Sequence, residues 1–299
     1  MKHTLAFLAL LFIIAPWLPA QTTAQYAPTA AENALLWEIS GAGLSEPSYL
    51  FGTIHLIGKA DFILTDRTTE AFAKTNRVAF EINMEEMNDI SKLMPMLMKA
   101  FMSNGKTLRD LLSKEEYALV KAHFEGIGLP LMLVERIKPM FLSALGSGDM
   151  SQMQANGETV SYEIELMKLA QEQQKQVAGL ETMAFQMSVF DSIPYEAQAR
   201  MLVESIQAGK DGNEQFEALV ALYKAQDLVG LNAMLETDES IGQYGDILLA
   251  KRNRNWVPVM KDMMREKPTF FAVGAGHLAG EQGVIALLRA EGYTLKPLK

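Results

Sequence analysis

Apolar positions along this chain change their spacing from stretch to stretch, and that spacing predicts the elements. Leu35-Leu36-Trp37-Glu38-Ile39 and Ser48 to Phe51 are short apolar runs separated by Gly41-Ala42-Gly43, the pattern of a hairpin. Asp66 to Thr75 is amphipathic at helical spacing, and Arg77 to Asn83 is a strand with Glu81 near its far end. Strand, helix and strand in this order predict a parallel βαβ unit, with the strand of Glu81 beside the one ending at Phe51. Met84, Met87, Ile90, Leu93, Leu97 and Phe101 recur at threes and fours, which predicts one face of a long helix. Ser113 with Glu116 three residues on is a capping box that opens another.

Gly146 to Gly157 is rich in Gly, Ser and Asp and predicts a loop. Helical spacing resumes from Thr159 to Gln173, and Lys175 to Glu181 is a strand ending on a carboxylate. Three or four helices are expected between Thr182 and Glu236, and another from Gly245 to Glu266 around Trp256. Thr269 to Val273 is a buried strand, Gln282 to Glu291 a helix, and Tyr293 to Leu295 a short last strand. Strands thus cluster at the two ends and helices fill the middle. The expected fold is α/β: a mixed, mostly parallel sheet built from both ends of the chain, flanked by helices, with a largely helical insertion at 84–236.

Composition and charge change this picture at the N-terminus. Lys2 and His3 precede an apolar stretch from Leu5 to Leu18, broken by Pro16, and Ala20 closes it before a polar run. That is the layout of a secretory signal, and the stretch is shorter than the roughly 20 residues of a membrane span. Residues 1–20 are therefore expected to be a signal peptide, cleaved after Ala20 or Ala24, with 21–33 a linker and 34–299 a single exported domain, periplasmic or extracellular. The chain has no Cys, so neither a disulfide nor a lipid-modified cysteine is available. No later apolar run is long enough to span a membrane. A net charge of −9 argues against nucleic acid or an anionic membrane as partner.

The chemistry concentrates in a motif written twice. Residues 52–58 read Gly-Thr-Ile-His-Leu-Ile-Gly and residues 274–280 read Gly-Ala-Gly-His-Leu-Ala-Gly. Each frame follows a short apolar strand, and together they hold His55 and His277, two of only four histidines. Ligands bind at the carboxyl ends of strands in open α/β sheets, and Gly52 and Gly274 allow a tight turn or close backbone approach there. Two imidazoles with Glu81 form a divalent-metal set that leaves positions open for water and substrate. Glu181, at another strand end, is a second candidate carboxylate. Lys251-Arg252-Asn253-Arg254 is the densest basic and amide cluster, in which Arg252 and Asn253 suit a carboxylate or oxyanion. The methionines between 84 and 102 are read as adaptable groove filler. Gly-x-Ser-x-Gly, His-Glu-x-x-His, Gly-Lys-Ser/Thr and Gly-x-Gly-x-x-Gly motifs are absent, which removes the sequence support for serine-hydrolase, zincin and nucleotide-binding readings.

Taken with Val-Ala-Phe-Glu at 78–81, Gly-Leu-Glu-Thr at 179–182 and Arg-Asn-Arg-x-Trp at 252–256, the two histidine frames resemble the signature segments of TraB/GumN proteins, a group related to the Tiki metalloproteases. The resemblance runs from Leu35 to Leu298. It implies a mixed sheet with helices around it, and an exported metal-dependent hydrolase, a peptidase acting on peptide or protein substrates. His55, His277 and Glu81 would be the metal and catalytic residues; Arg252, Asn253 and Glu181 would bind substrate; the ion would be Mn, Co or Zn. One departure is Ser161-Tyr162-Glu163, where relatives carry Gly-hydrophobic-Asp. Two other readings stay open: a metal-independent, esterase-like His/Glu hydrolase, and a non-catalytic envelope protein that binds haem or metal.

Overall fold

The computed structural model describes residues 23–55, 57–88, 98–146, 159–211, 214–237 and 239–299. The residues expected to form the signal peptide, Leu56, the middle of the 84–101 run and most of the stretch expected to be a loop at Gly146 to Gly157 lie outside them. Eight strands are described: β1 (Leu36–Gly41), β2 (Ser48–Thr53), β3 (Ile57–Gly58), β4 (Arg77–Ile82), β5 (Thr159–Val160), β6 (Gln176–Glu181), β7 (Thr269–Gly274) and β8 (Tyr293–Leu298). The helices among the described residues are α1 (Asp66–Ala73), α2 (Lys114–Gly126), α3 (Leu131–Val134), α4 (Pro139–Gly146), α5 (Tyr162–Glu172), α6 (Met183–Asp191), α7 (Tyr195–Asp211), α8 (Glu214–Lys224), α9 (Leu228–Thr237), α10 (Glu239–Gly245), α11 (Lys251–Glu266) and α12 (Val284–Ala290).

Six strands form one mixed sheet in the order β6-β4-β7-β2-β1-β8. The pairs β6·β4, β4·β7 and β7·β2 are parallel, while β2·β1 and β1·β8 are antiparallel. The expected α/β class and mostly parallel sheet are found. The central strands are apolar along their middles, and Leu50, Val78, Ala79, Phe270 and Phe271 are fully buried, as strands covered on both faces require. The β1–β2 turn is made by Gly41, Ala42 and Gly43, all at positive φ, a conformation that suits glycine at the outer two positions.

Helices close over this sheet through named contacts. α1 is capped by Thr65, whose hydroxyl accepts from the Thr68 amide, and it sets Phe72 edge-on to Phe270, 5.1 Å between centroids. α5 packs Tyr162 against Phe51 at 5.8 Å. α11 contributes Trp256, Met260 and Met264 to the same core. A smaller apolar cluster sits apart, where Leu108, Phe124 of α2, Leu131 of α3, Leu142 of α4 and Leu202 of α7 meet. Ser113 and Glu116 form the capping box that opens α2, each side chain bonding the other's backbone N–H.

Three local expectations differ from the structure. β4 does not lie beside β2: β7, from the far end of the chain, is inserted between them, so β2–α1–β4 crosses over one strand. The run from Met84 is not one long helix where it is described. Met84–Asn88 is a 3-10 turn, and Phe101 pairs with Ile137 in a bridge, with Met102 N–H and Lys138 N–H donating to Arg136 and Ala100 carbonyls at 2.8 Å. Around Ala100 and Met102 the backbone groups are satisfied laterally, which apolar spacing of three and four does not reveal; residues 98 and 99 are helical, and residues 89–97 of the run lie outside the described residues. Finally, Thr159 and Val160 are not helical: they pair with Ile57 and Gly58 as a two-stranded sheet, and Ser161 caps α5. The residues after Thr23, read as linker, carry 3-10 turns at Thr23–Tyr26 and Ala30–Glu32, and Arg289 of α12 binds both Tyr26 O and Glu32.

Candidate functional site

The two histidine frames meet because their strands are parallel neighbours, with Thr53 of β2 beside Gly274 of β7. His55 lies two residues beyond β2, and His277 ends the 3-10 turn Ala275–His277 that follows β7. Both frame glycines have a steric reason. A Cβ at Gly52 would stand 3.0 Å from Leu278 Cδ2 and 3.2 Å from Ala275 Cα, so glycine lets the His277 turn pack onto β2. At Gly274 the backbone N–H donates to Glu81 Oε1 at 2.9 Å, and a Cβ would crowd that oxygen at 3.3 Å.

Glu81 is thereby brought to the histidines although its strand is separated from β2. It is buried, and Arg252 binds its Oε2 at 2.6 Å while Gln186 of α6 donates to the same oxygen at 3.2 Å. Burial alone would raise the Glu81 carboxyl, but the nearby His277 imidazole, which takes up a proton only in acid, the Arg252 guanidinium and the Gly274 N–H outweigh it and hold it at about 2. Arg252 is itself fixed from below: Glu181 accepts from its Nε at 3.0 Å and from Nη2 at 2.7 Å. Trp256 donates to Glu181 Oε2 at 2.8 Å and lies under the guanidinium, 4.8 Å from ring centre to Cζ.

His277 is buried and its tautomer follows from its neighbours. Asn253 Nδ2 donates to the carbonyls of Gln282 at 2.8 Å and His277 at 3.3 Å, which turns Asn253 Oδ1 toward His277 Nδ1 at 2.7 Å. Nδ1 therefore carries the proton, and Nε2 keeps its lone pair, facing Arg252 Nη1 at 3.2 Å and Glu81 Oε1 at 3.7 Å. Burial, followed by the nearby Arg252 and His55, lowers His277 to about 4 against the pull of Glu81, so the ring is neutral at pH 7.

His55 has the opposite environment. Its side chain is 74% exposed, and Nδ1 is 3.2 Å from Glu163 Oε1. Glu163 also accepts from Thr53 Oγ1 at 2.8 Å and Ser161 Oγ at 3.0 Å. The β3–β5 pair, which joins the residues after His55 to those before α5, sets this contact. The hydrogen bond that His55 donates to Glu163 raises the imidazole to about 9. Glu163 and Gln186 are site members that the sequence reading did not single out as such. Glu163 had a signal, since it stands where TraB/GumN proteins carry Asp; Gln186 had none.

His55, Glu81, Glu163, Gln186 and Arg252 line one pocket of about 400 Å³. Glu181, Asn253 and His277 do not line it; Glu181 is engaged by Arg252 and Trp256, and Asn253 by the buried His277, which reaches Glu81 and Arg252 from behind. The donors fall into two pairs, His277 Nε2 with Glu81 and His55 Nδ1 with Glu163. Imidazole and carboxylate suit a divalent cation, and the Asn253 bond to Nδ1 is the outer contact that leaves Nε2 able to bind one. In the arrangement described, no three His, Cys, Asp or Glu among the described residues are grouped closely enough to hold an ion. Arg252 occupies the place beside Nε2, so a bound ion requires that guanidinium to draw back.

The family model of TraB/PrgY/gumN proteins matches residues 35–297. Among curated proteins, the chain is 25% identical to "Metalloprotease TIKI2" of Danio rerio, over 88% of this chain and 61% of that protein. It is 27% identical to "Metalloprotease TIKI1" of Homo sapiens, over 93% of this chain and 65% of that protein. The chain thus spans somewhat under two thirds of the length of the curated relatives it matches. No solved structure matches it. With the family model covering nearly all of the described sheet, both histidine frames and Glu81, the chain belongs to the TraB/PrgY/gumN family.

Proposed function

We propose that this protein is an exported hydrolase of peptide bonds, working at the pocket between His55, Glu81 and Arg252. The observation that carries the reading is the convergence of both histidine frames with Glu81 at the carboxyl ends of adjacent strands, in a chain whose relatives are named metalloproteases. Export rests on the signal-like residues 1–20.

The donors for a divalent ion, Mn, Co or Zn, would be His277 Nε2, Glu81, His55 and Glu163. Such an ion supplies Lewis acidity to a bound water and to the scissile carbonyl. The remaining roles belong to the chain itself. His277 offers an unprotonated Nε2 at neutral pH, held in that tautomer by Asn253. Glu81, ionised, places negative charge beside it. Where no ion engages it, His55, protonated through Glu163 and exposed at the pocket, is a proton donor for the leaving amine. Arg252, whose N–H groups are taken up by Glu81, Glu181, Leu248 O and His277, lends positive charge to the pocket, toward which a substrate carboxylate or a developing oxyanion would be drawn.

The test is cleavage of a peptide library by the purified protein, with Mn, Co, Zn or chelator added. His55→Ala, His277→Ala and Glu81→Gln are each expected to lower kcat by about 10²-fold or more. Cleavage indifferent to both histidine substitutions would sink the proposal. A second reading has its own support, because Arg252 already fills the place beside His277 Nε2. On that reading the same groups hydrolyse without metal, and activity would survive chelator yet still vanish with either histidine.

A further inference from the structure

The pocket has a second half that the chemistry above does not use. Phe80 and Ala272 form its floor, and Ile82, Met84, Ile164 and Phe190 form one wall. Phe80 and Ala272 are buried in the sheet, but Met84 and Phe190 are only half-buried and Ile164 is 37% exposed. Isolated exposed apolar residues are ordinary; three long ones turned into one opening beside charged groups are the composition of a ligand site. None of these six side chains carries a charge. The wall comes from four different elements: Ile82 from β4, Met84 from the 3-10 turn after it, Ile164 from α5 and Phe190 from α6. Phe190 is braced from behind by Phe141 of α4, edge-on with centroids 5.3 Å apart. A volume of about 400 Å³ falls within the roughly 300–1,000 Å³ of ligand pockets.

We infer that the Met84–Ile164–Phe190 wall is a specificity subsite, which takes a bulky apolar side chain of the substrate next to the bond held at His55 and Glu81. The inference rests on the hydrolase reading and narrows it to peptides with Leu, Ile, Met or Phe beside the cleaved bond. A charged side chain would lose its hydration there without gaining a partner.

The experiment uses the full-length protein and matched peptides that differ only at the residue beside the cleaved bond: Leu, Phe, Gly, Asp or Lys. Expected is a kcat/KM at least 10-fold higher for Leu and Phe than for Gly or Asp, within the ~10–200-fold that apolar pockets give. Phe190→Ala should reduce that ratio. Because Phe190 also packs on Phe141, Ile164→Asp provides a variant at an exposed position with little packing to disturb; it should lower turnover of the Leu peptide about 10-fold and favour Lys. Cleavage without side-chain preference, or a preference unmoved by Ile164→Asp, overturns the inference and leaves the hydrolase reading standing. If no peptide is cleaved, calorimetric binding of the same series decides: tighter binding of Leu and Phe peptides, lost in Ile164→Asp, supports the subsite while the hydrolase reading fails. Equal or absent binding then overturns both.

Discussion

His55 and His277 occupy equivalent places in a repeated motif, yet they carry opposite protonation states at neutral pH. Glu163 keeps His55 protonated toward about 9, while burial holds His277 neutral with a value near 4. The difference arises from partners outside the motif: an exposed carboxylate contact for one, and an Asn253 amide with an Arg252 guanidinium for the other. In chelator-treated protein, the His55 ring resonance should titrate near 9 by NMR and move back toward about 6.5 in Glu163→Gln. A raised folded value means that the His55–Glu163 pair adds stability below about pH 6.5, and that the contribution is lost as pH rises through 9. A wild-type His55 titration unchanged by Glu163→Gln would show that the contact does not exist in solution. Residues were legible in the sequence to the extent that they are rare and framed. Two of four histidines in one repeated motif were conspicuous. Glu81 was found from its place at a strand end, and Arg252 from its cluster. Gln186 sits on an ordinary helix, and only tertiary packing brings it to Glu81.

At the scale of elements, three parallel strands deliver the chemistry: β2 gives His55, β7 gives His277 and β4 gives Glu81. β6 adds Glu181 beneath Arg252, and its approach to β4 is close. A Cβ at Gly179 would stand 2.4 Å from Asn83 N and 2.8 Å from Ile82 C, backbone atoms that cannot swing aside. Gly179→Ala is therefore expected to destabilise the fold by about 1–3 kcal/mol through overpacking, read as a lowered urea midpoint at unchanged slope. An unaltered midpoint would mean that the two strands separate at no cost. The strands themselves were readable from the sequence as short apolar runs, including β6 in the middle of the helical region. Their spatial order was not, because nothing local in Thr269–Gly274 says that it fits between β2 and β4. Periodicity also misread Phe101 and Thr159-Val160, where lateral pairing satisfies the backbone instead of helical bonds.

Across the whole molecule, apolar burial is divided unequally. The sheet and its covering helices share one large core, whereas α2, α3, α4 and α7 meet around a small cluster with its own residues. Hydrogen exchange should reflect this, with amides of α2 and α7 opening at lower free energy than those of β2 and β7. Uniform protection in all four elements would mean that the two clusters unfold as one. Phe190 stands where the small cluster's helices meet the pocket, so loosening there would be felt at the proposed subsite before the sheet gives way. The insertion of β7 bears on when, rather than how, the centre comes into being. β2, β4 and β6 all precede β7 in the chain, yet β7 stands between β2 and β4 in the sheet. His277, Arg252 and Asn253 all arrive in the same late portion of the chain. The centre is thus complete only when the C-terminal portion is in place: a chain that stops before β7 has neither His277 nor the strand that joins His55 to Glu81.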